Sequence, residues 1–303
     1  MDRRRLIGHL AAAGTILMWS ATYTSTKLLL ASFSATEILV FRFVIAYAAL
    51  WLVRPKMIPW RGVRRELPFI GMGLCGVTLY YIFQNTALEL TSASNVSVLI
   101  PTAPLLTAVL AQLVFKDRVL TPRFAVGCAV ALGGVALISL NGRMMRLSPA
   151  GDVLALLAAA SWAGYSTFIR MTEGEEHDPI AFTRRIFFWG LVTLAPALPF
   201  LGFRLELARF AQPVNLWNML FLALGASTVG YLTWNFAVKR LGVITSSLYI
   251  YVDPICSVAI AAGVLGEKVT WLAALGVALI LAGLALTTAR GKTERRENNE
   301  TGD

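Results

Sequence analysis

Charge is scarce in this chain. Only 15% of its 303 residues are Asp, Glu, Lys or Arg, against 57% that are hydrophobic, whereas soluble globular domains carry about 25% charged residues. That deficit excludes a water-soluble fold as the first expectation. Histidine occurs twice, as His9 and as His177 in the acidic stretch EGEEHD, and cysteine three times. No metal-ligand cluster, no G-x-x-x-x-G-K-[ST] phosphate loop and no Ser-His-Asp set is evident, which argues against a metalloenzyme, a nucleotide-driven pump and a hydrolase. No cofactor or metal is expected, and any active transport would draw on a gradient or a partner. Cys75, Cys128 and Cys256 all fall inside apolar blocks and read as small packing residues rather than a disulfide framework.

What is present is long apolar sequence. The charges retreat into short clusters and leave blocks of about 20 residues, the length that crosses a bilayer core of about 30 Å. Cutting at the clusters gives segments at 6–26, 34–53, 67–88, 93–115, 121–140, 151–169, 180–203, 216–238, 243–265 and 270–289. The first follows Arg3, Arg4 and Arg5 like a signal peptide, but a repeat partner marks it as a span. The net charge of +10 lies in the connections rather than in a stripe on a soluble domain, so it orients the chain and does not point to nucleic acid. Lys and Arg number 20 in the alternate connections that include both termini and 6 in the others, with Arg42 inside the second segment. By the positive-inside rule both termini are expected in the cytoplasm. The tail 290–303 lacks apolar residues and is expected to be disordered. Trp51, Trp60, Trp217 and Trp271, near span ends, read as interfacial anchors.

The chain also repeats itself. A shift of 150 aligns Tyr81 with Tyr231, Asn85 with Asn235, Ser97 with Ser247, Pro104 with Pro254 and Asp117-Arg118-Val119 with Glu267-Lys268-Val269. A shift of 143 pairs Trp19 with Trp162, Lys27 with Arg170 and Arg42 with Arg185. Each half then holds five spans. Five being odd, the second half enters the membrane from the opposite side. The expectation is an all-α integral membrane protein of ten transmembrane helices in two inverted five-helix repeats, 1–145 and 146–289, followed by the tail. Such halves can exchange conformations and open a central site to either side in turn, which is a transporter architecture.

The residues Ala237-Val-Lys-Arg-Leu-Gly242, Thr245-Ser-Ser-Leu248, Asp253-Pro254, Gly266-Glu267-Lys268 and Gly276 to Gly283 resemble the second half of an EamA-type member of the drug/metabolite transporter superfamily. Trp19-Ser20, Arg42-Phe43, Pro104, Asp117-Arg118 and Gly133-Gly134 repeat the pattern in the first half, with Asp117 where the family more often has Glu. The resemblance covers about residues 10–289. It implies ten helices in a bacterial inner membrane and export of small metabolites, amino acids among them. The aromatic set is most similar to that of the YddG-like amino acid exporters. Two rivals are an uptake permease for another metabolite, such as a sugar or carboxylate, and a membrane-embedded lipid-modifying enzyme, the latter disfavoured by the missing catalytic set. The expected partners are the bilayer and a small-molecule substrate.

Polar residues inside spans should face a cavity or the protein interior, while the interior aromatics divide between lipid-facing or packing roles and cavity walls. Thr78, Tyr81 and Asn85 share one helical face, and Thr228, Tyr231 and Asn235 repeat it. The candidate substrate-binding residues are Trp19, Tyr81, Asn85, Asn95, Trp162, Tyr165, Tyr231, Trp234, Tyr249 and Asp253. Asp253 alone among 17 acidic residues lies near the middle of a span, and its repeat mate is Ala103. It binds a substrate ammonium, carries a coupling proton, or pairs with a cation such as Arg42. Arg42 and Arg185 read as shared structural residues, with contact to a substrate carboxylate as the alternative for one of them. Pro104 and Pro254 each free carbonyls within a span, including those of Ile100 and Ile250, and are candidate hinges. Gly127, Gly133, Gly276 and Gly283 give the fifth and tenth spans a small-residue seam, read as helix packing or as the contact of a homodimer.

Overall fold

The computed structural model describes residues 3–60, 62–90, 96, 99–117, 119–139, 148–174, 177–256, 259 and 270–288. Asn95, Ser97, Arg118, the Glu267-Lys268 pair and the tail 290–303 lie outside the described residues. Among those described there is no strand. The helices are α1 (Arg3–Ser20) and α2 (Thr22–Leu29), α3 (Ala35–Val53), α4 (Val63–Leu90), α5 (Ile100–Phe115), α6 (Pro122–Ser139), α7 (Pro149–Arg170), α8 (Pro179–Leu194), α9 (Pro213–Leu241), α10 (Val243–Cys256) and α11 (Trp271–Thr288). By length and apolar composition α3, α4, α7 and α9 can cross a membrane, and α5, α6, α10 and α11 contain shorter apolar stretches. Leu17, Leu113, Val192, Leu224 and Leu281 are exposed, as expected of apolar side chains on spans that face hydrocarbon.

Local chemistry sets the helix limits. The side chain of Ser34 caps α3 by accepting from the Glu37 N–H while Glu37 accepts from the Ser34 N–H. Asp178 caps α8, accepting from the Ile180 and Ala181 N–H groups at 3.1 Å each, with Pro179 in the first turn. Gly242, at φ 83°, makes the turn from α9 into α10, a left-handed backbone that a side chain would strain. The seventh apolar block is shorter as a helix than the 180–203 expected. It leaves α-geometry at Leu194 and passes through a 3-10 turn, Ala195–Ala197, because Pro196 and Pro199 remove N–H donors.

The repeat is visible in irregularities as well as in helices. α4 and α9 both loosen into π-helix at their middles, over Leu74–Leu79 and Phe221–Val229. α5 opens with a 3-10 turn at Ile100–Thr102, and α10 contains one at Leu248–Val252, each ending two residues before Pro104 or Pro254. Contacts come in matching pairs: the C-terminal half of α4 packs on α7 as that of α9 packs on α1, and α8 packs on the start of α4 as α3 packs on the π segment of α9. The repeat mates α6 and α11 pack on each other. A Cβ on Gly283 would lie 2.5 Å from the Gly127 carbonyl oxygen, and one on Gly134 would lie 2.5 Å from that of Gly276, so these backbones touch. Gly133, expected in the seam, faces open space, and its neighbour Gly134 makes the contact instead: on a helix of 3.6 residues per turn, a one-residue step turns the face by about 100°.

Candidate functional site

A cavity of about 500 Å³ opens between α1, α2, α3, α4, α5, α7 and α10. Its floor is made by the repeat mates Trp19 and Trp162, whose rings meet edge to face at 5.2 Å. The floor therefore lies where the two repeats meet. Above it, α4 contributes Tyr80, Tyr81, Gln84 and Asn85 on one helical face, α3 contributes Arg42, and α10 contributes Asp253. The walls are mixed: aromatic and aliphatic surface carries a cation, an anion and two amides.

The π segments explain how the aromatic floor is held. A π turn leaves carbonyls without their usual helical donors. The Tyr231 hydroxyl donates to the Gly76 carbonyl at 2.6 Å, and the Trp19 indole N–H donates to the Ala226 carbonyl at 2.9 Å. Gly76 and Ala226 are repeat mates, so each repeat's loosened turn is closed by an aromatic side chain from elsewhere in the fold. Beneath Trp19 and Trp162 lie Tyr231, Trp234 and Tyr165, with centroid distances from Trp162 of 6.1, 5.7 and 5.0 Å. The Tyr165 hydroxyl donates to Asn235 Oδ1 at 2.6 Å, and Asn235 Nδ2 donates to the Thr183 hydroxyl at 3.2 Å. This layer is buried and closes the cavity at one end.

Of the residues expected to bind substrate, Trp19, Tyr81, Asn85, Trp162 and Asp253 line the cavity. Tyr165, Tyr231 and Trp234 pack behind its floor instead, and Tyr249 meets His9 Nδ1 at 2.8 Å. Asn95 lies outside the described residues. Asp253 accepts a hydrogen bond from Ser20 on α1. Gln84 is on the wall although nothing singled it out; its place three residues after Tyr81 and beside Asn85 was the available signal. Ile100 and Ile250 both line the cavity, but their carbonyls are not bare as expected next to the candidate hinges Pro104 and Pro254. The N–H groups of Ala103 and Asp253 bond to them in the 3-10 manner.

The two structural arginines have parted company. Arg185 donates to both oxygens of Glu66, and the Trp189 indole N–H adds a third bond to that carboxylate at 2.9 Å. Arg42 instead donates to the Ser227 hydroxyl at 2.8 Å and lies over the Tyr81 ring at 4.6 Å. Around Glu66, Lys56, His177 and Asp178, at the end of the molecule away from the first cavity, a second concavity of about 440 Å³ is ringed by loops. There the Asp178 carboxyl is held below the ordinary range, first by the Ala181 N–H and then by Arg54 and the Ile180 N–H, which together outweigh its partial burial.

Comparison with known proteins places this geometry. The sequence model described as the EamA-like transporter family matches residues 6–140 and 149–289, once for each repeat. A protein of Archaeoglobus fulgidus named "Uncharacterized transporter" is 28% identical over 93% of this chain and 97% of its own length. The "Probable terminal-alkyne amino-acid exporter" of Streptantibioticus cattleyicolor is 28% identical over 95% of each chain. The "Probable amino-acid metabolite efflux pump" of Escherichia coli is 25% identical over 89% of this chain and 90% of its own. A crystal structure with 22% identity superposes at a TM-score of 0.73, covering 98% of this chain and 99% of the other, and so shows the fold.

Proposed function

Because the chain belongs to the EamA-like transporter family, a family of membrane transporters and not enzymes, we propose that it exports small amphiphilic metabolites, amino acids foremost, across a bacterial inner membrane by alternating access. In this reading the chain has ten spans, and 1–145 and 146–289 are inverted repeats flanking the central cavity. The charge count of 20 against 6 supports a cytoplasmic position for both termini and the tail 290–303. The cavity then opens outward, because its upper walls come from the ends of α2 and α4 and the starts of α3 and α5.

The observation that carries the reading is the unequal use of repeat mates. Tyr81 and Asn85 line an open cavity, whereas Tyr231 and Asn235 are locked in a buried layer below it. Exchanging the two repeat conformations would pack the first pair and expose the second, together with Tyr165 and Trp234, to the cytoplasmic side. The names of two relatives supply the substrate class, and the aromatic walls suit an amino acid with an apolar side chain.

The test is counterflow in liposomes containing only this protein. Preloaded phenylalanine should drive saturable uptake of labelled phenylalanine, and protein-free liposomes should show none. Uptake of sugars but of no amino acid would overturn the substrate class in favour of a permease for another metabolite.

A further inference from the structure

The repeat supplies an internal control for Arg42. Its mate Arg185 is neutralised by Glu66, but Leu216 stands where a shift of 150 places the mate of Glu66. Arg42 is 5% exposed, and among the described residues no carboxylate oxygen lies within 4.0 Å of it. Ser227 and the face of Tyr81 satisfy only part of the guanidinium, which has five N–H donors and keeps its charge at any physiological pH. A buried cation that has lost its counter-ion and lines a cavity is a receptor for an anion.

Two further groups on the same walls lack partners among the described residues. The indole N–H of Trp162 is buried with no acceptor, and Gln84 Oε1 is buried with no donor. Both residues line the cavity with Arg42, and Asp253 faces it from α10. Arg42, Tyr80 and Asp253 all line it, so the two charges share one compartment. The site thus offers a cationic donor, a neutral donor, a neutral acceptor and an anion around an aromatic floor.

We propose that Arg42 is the substrate-recognition residue for a carboxylate, and that the molecule it receives is a small zwitterion with an apolar body. Its carboxylate forms a bidentate pair with the guanidinium, its ammonium lies toward Asp253 and Gln84, and its side chain rests on Trp19 and Trp162. This rests on the transport reading above and names what that site selects.

The experiment compares, at about pH 6 so that α-amino groups stay protonated, phenylalanine, phenylalaninamide, which keeps the ammonium but has no carboxylate, and 3-phenylpropionate, which keeps the carboxylate but has no ammonium. Each is used as competitor in counterflow and as ligand in intrinsic tryptophan fluorescence titration of the purified full chain. The wild type should prefer phenylalanine to its amide by about tenfold or more, the worth of a charge-assisted bond. Arg42→Gln should bring that ratio close to one with little change for the amide, and Arg42→Lys should restore part of it. A wild type that treats phenylalanine and phenylalaninamide alike overturns the proposal even if no variant folds, and leaves the transport reading standing. Preference for 3-phenylpropionate over both others, lost in Arg42→Gln, upholds the anion site but removes the zwitterion and the amino-acid reading. An unchanged ratio in a monodisperse Arg42→Gln protein overturns the role of Arg42.

Discussion

Replacing Glu66 by Gln removes one charge and almost no volume, and its cost follows from three contacts. The carboxylate accepts from Arg185 Nε at 2.9 Å, from Arg185 Nη2, and from Trp189 Nε1 at 2.9 Å, and its side chain is 3% exposed. Glutamine has one acceptor oxygen where there were two, and its amide turns N–H groups toward donors. Arg185, 13% exposed, then loses its counter-charge and the bond from Nη2, and keeps only neutral acceptors, the remaining glutamine oxygen and the Ile58 carbonyl at 3.2 Å, with its guanidinium over the Trp60 ring at 5.9 Å. Breaking a buried pair from one side costs about 3–5 kcal/mol, and partial exposure of the arginine puts this site at the lower end, about 3 kcal/mol. In a protein of this size that corresponds to a fall in melting temperature on the order of 5–10 °C. The assay is thermal unfolding in detergent, followed by tryptophan fluorescence and monodispersity. Glu66→Gln with Arg185→Met should recover at least half of the loss, because the uncompensated charge leaves with its partner. A single variant as stable as wild type, or a double variant no more stable than the single, would refute the reasoning.

Asp178→Ala should cost about 1 kcal/mol near neutral pH, the worth of an N-cap. Because the folded carboxyl titrates below the ordinary value of about 3.9, the gap between variant and wild type should persist above that value and close as pH falls through the depressed one; a gap that widens in acid would contradict the assignment. Gly283→Leu should separate α11 from α6 and cost about 3 kcal/mol or more, since even its Cβ would stand 2.5 Å from a carbonyl. Gly133→Leu, which faces open space, should leave the melting temperature nearly unchanged, and equal losses at both positions would mean that the seam is misplaced. Reporter fusions after Lys56 and after Lys239 should report cytoplasm and one near Arg146 the outside, and a cytoplasmic signal at Arg146 would overturn the ten-span arrangement.

The linear pattern alone determined the helical architecture and the duplication. Apolar blocks of span length, charge confined to connections, and prolines at matching registers act locally, and they recur as matching π and 3-10 segments in the two halves. The polar residues of the cavity were legible because Asn85 and Asp253 are costly in hydrocarbon and so face inward, and the candidates Trp19, Tyr81 and Trp162 line the cavity with them. The sequence could not say which member of a repeat pair meets the cavity. Tyr81 and Tyr231, or Asn85 and Asn235, hold the same places in the repeated Thr-x-x-Tyr-x-x-x-Asn-x-Ala pattern, and the packing that seals one end and opens the other separates lining from floor. Arg42 and Arg185 likewise share a register and differ in fate because Glu66 has reached one guanidinium and Leu216 stands in the matching place for the other. Gln84 on the wall, and Gly134 rather than Gly133 in the seam, were decided by how the helices turn against their neighbours. Burial and pairing belong to the contact between distant segments, and that contact exists only once the two halves are folded against each other.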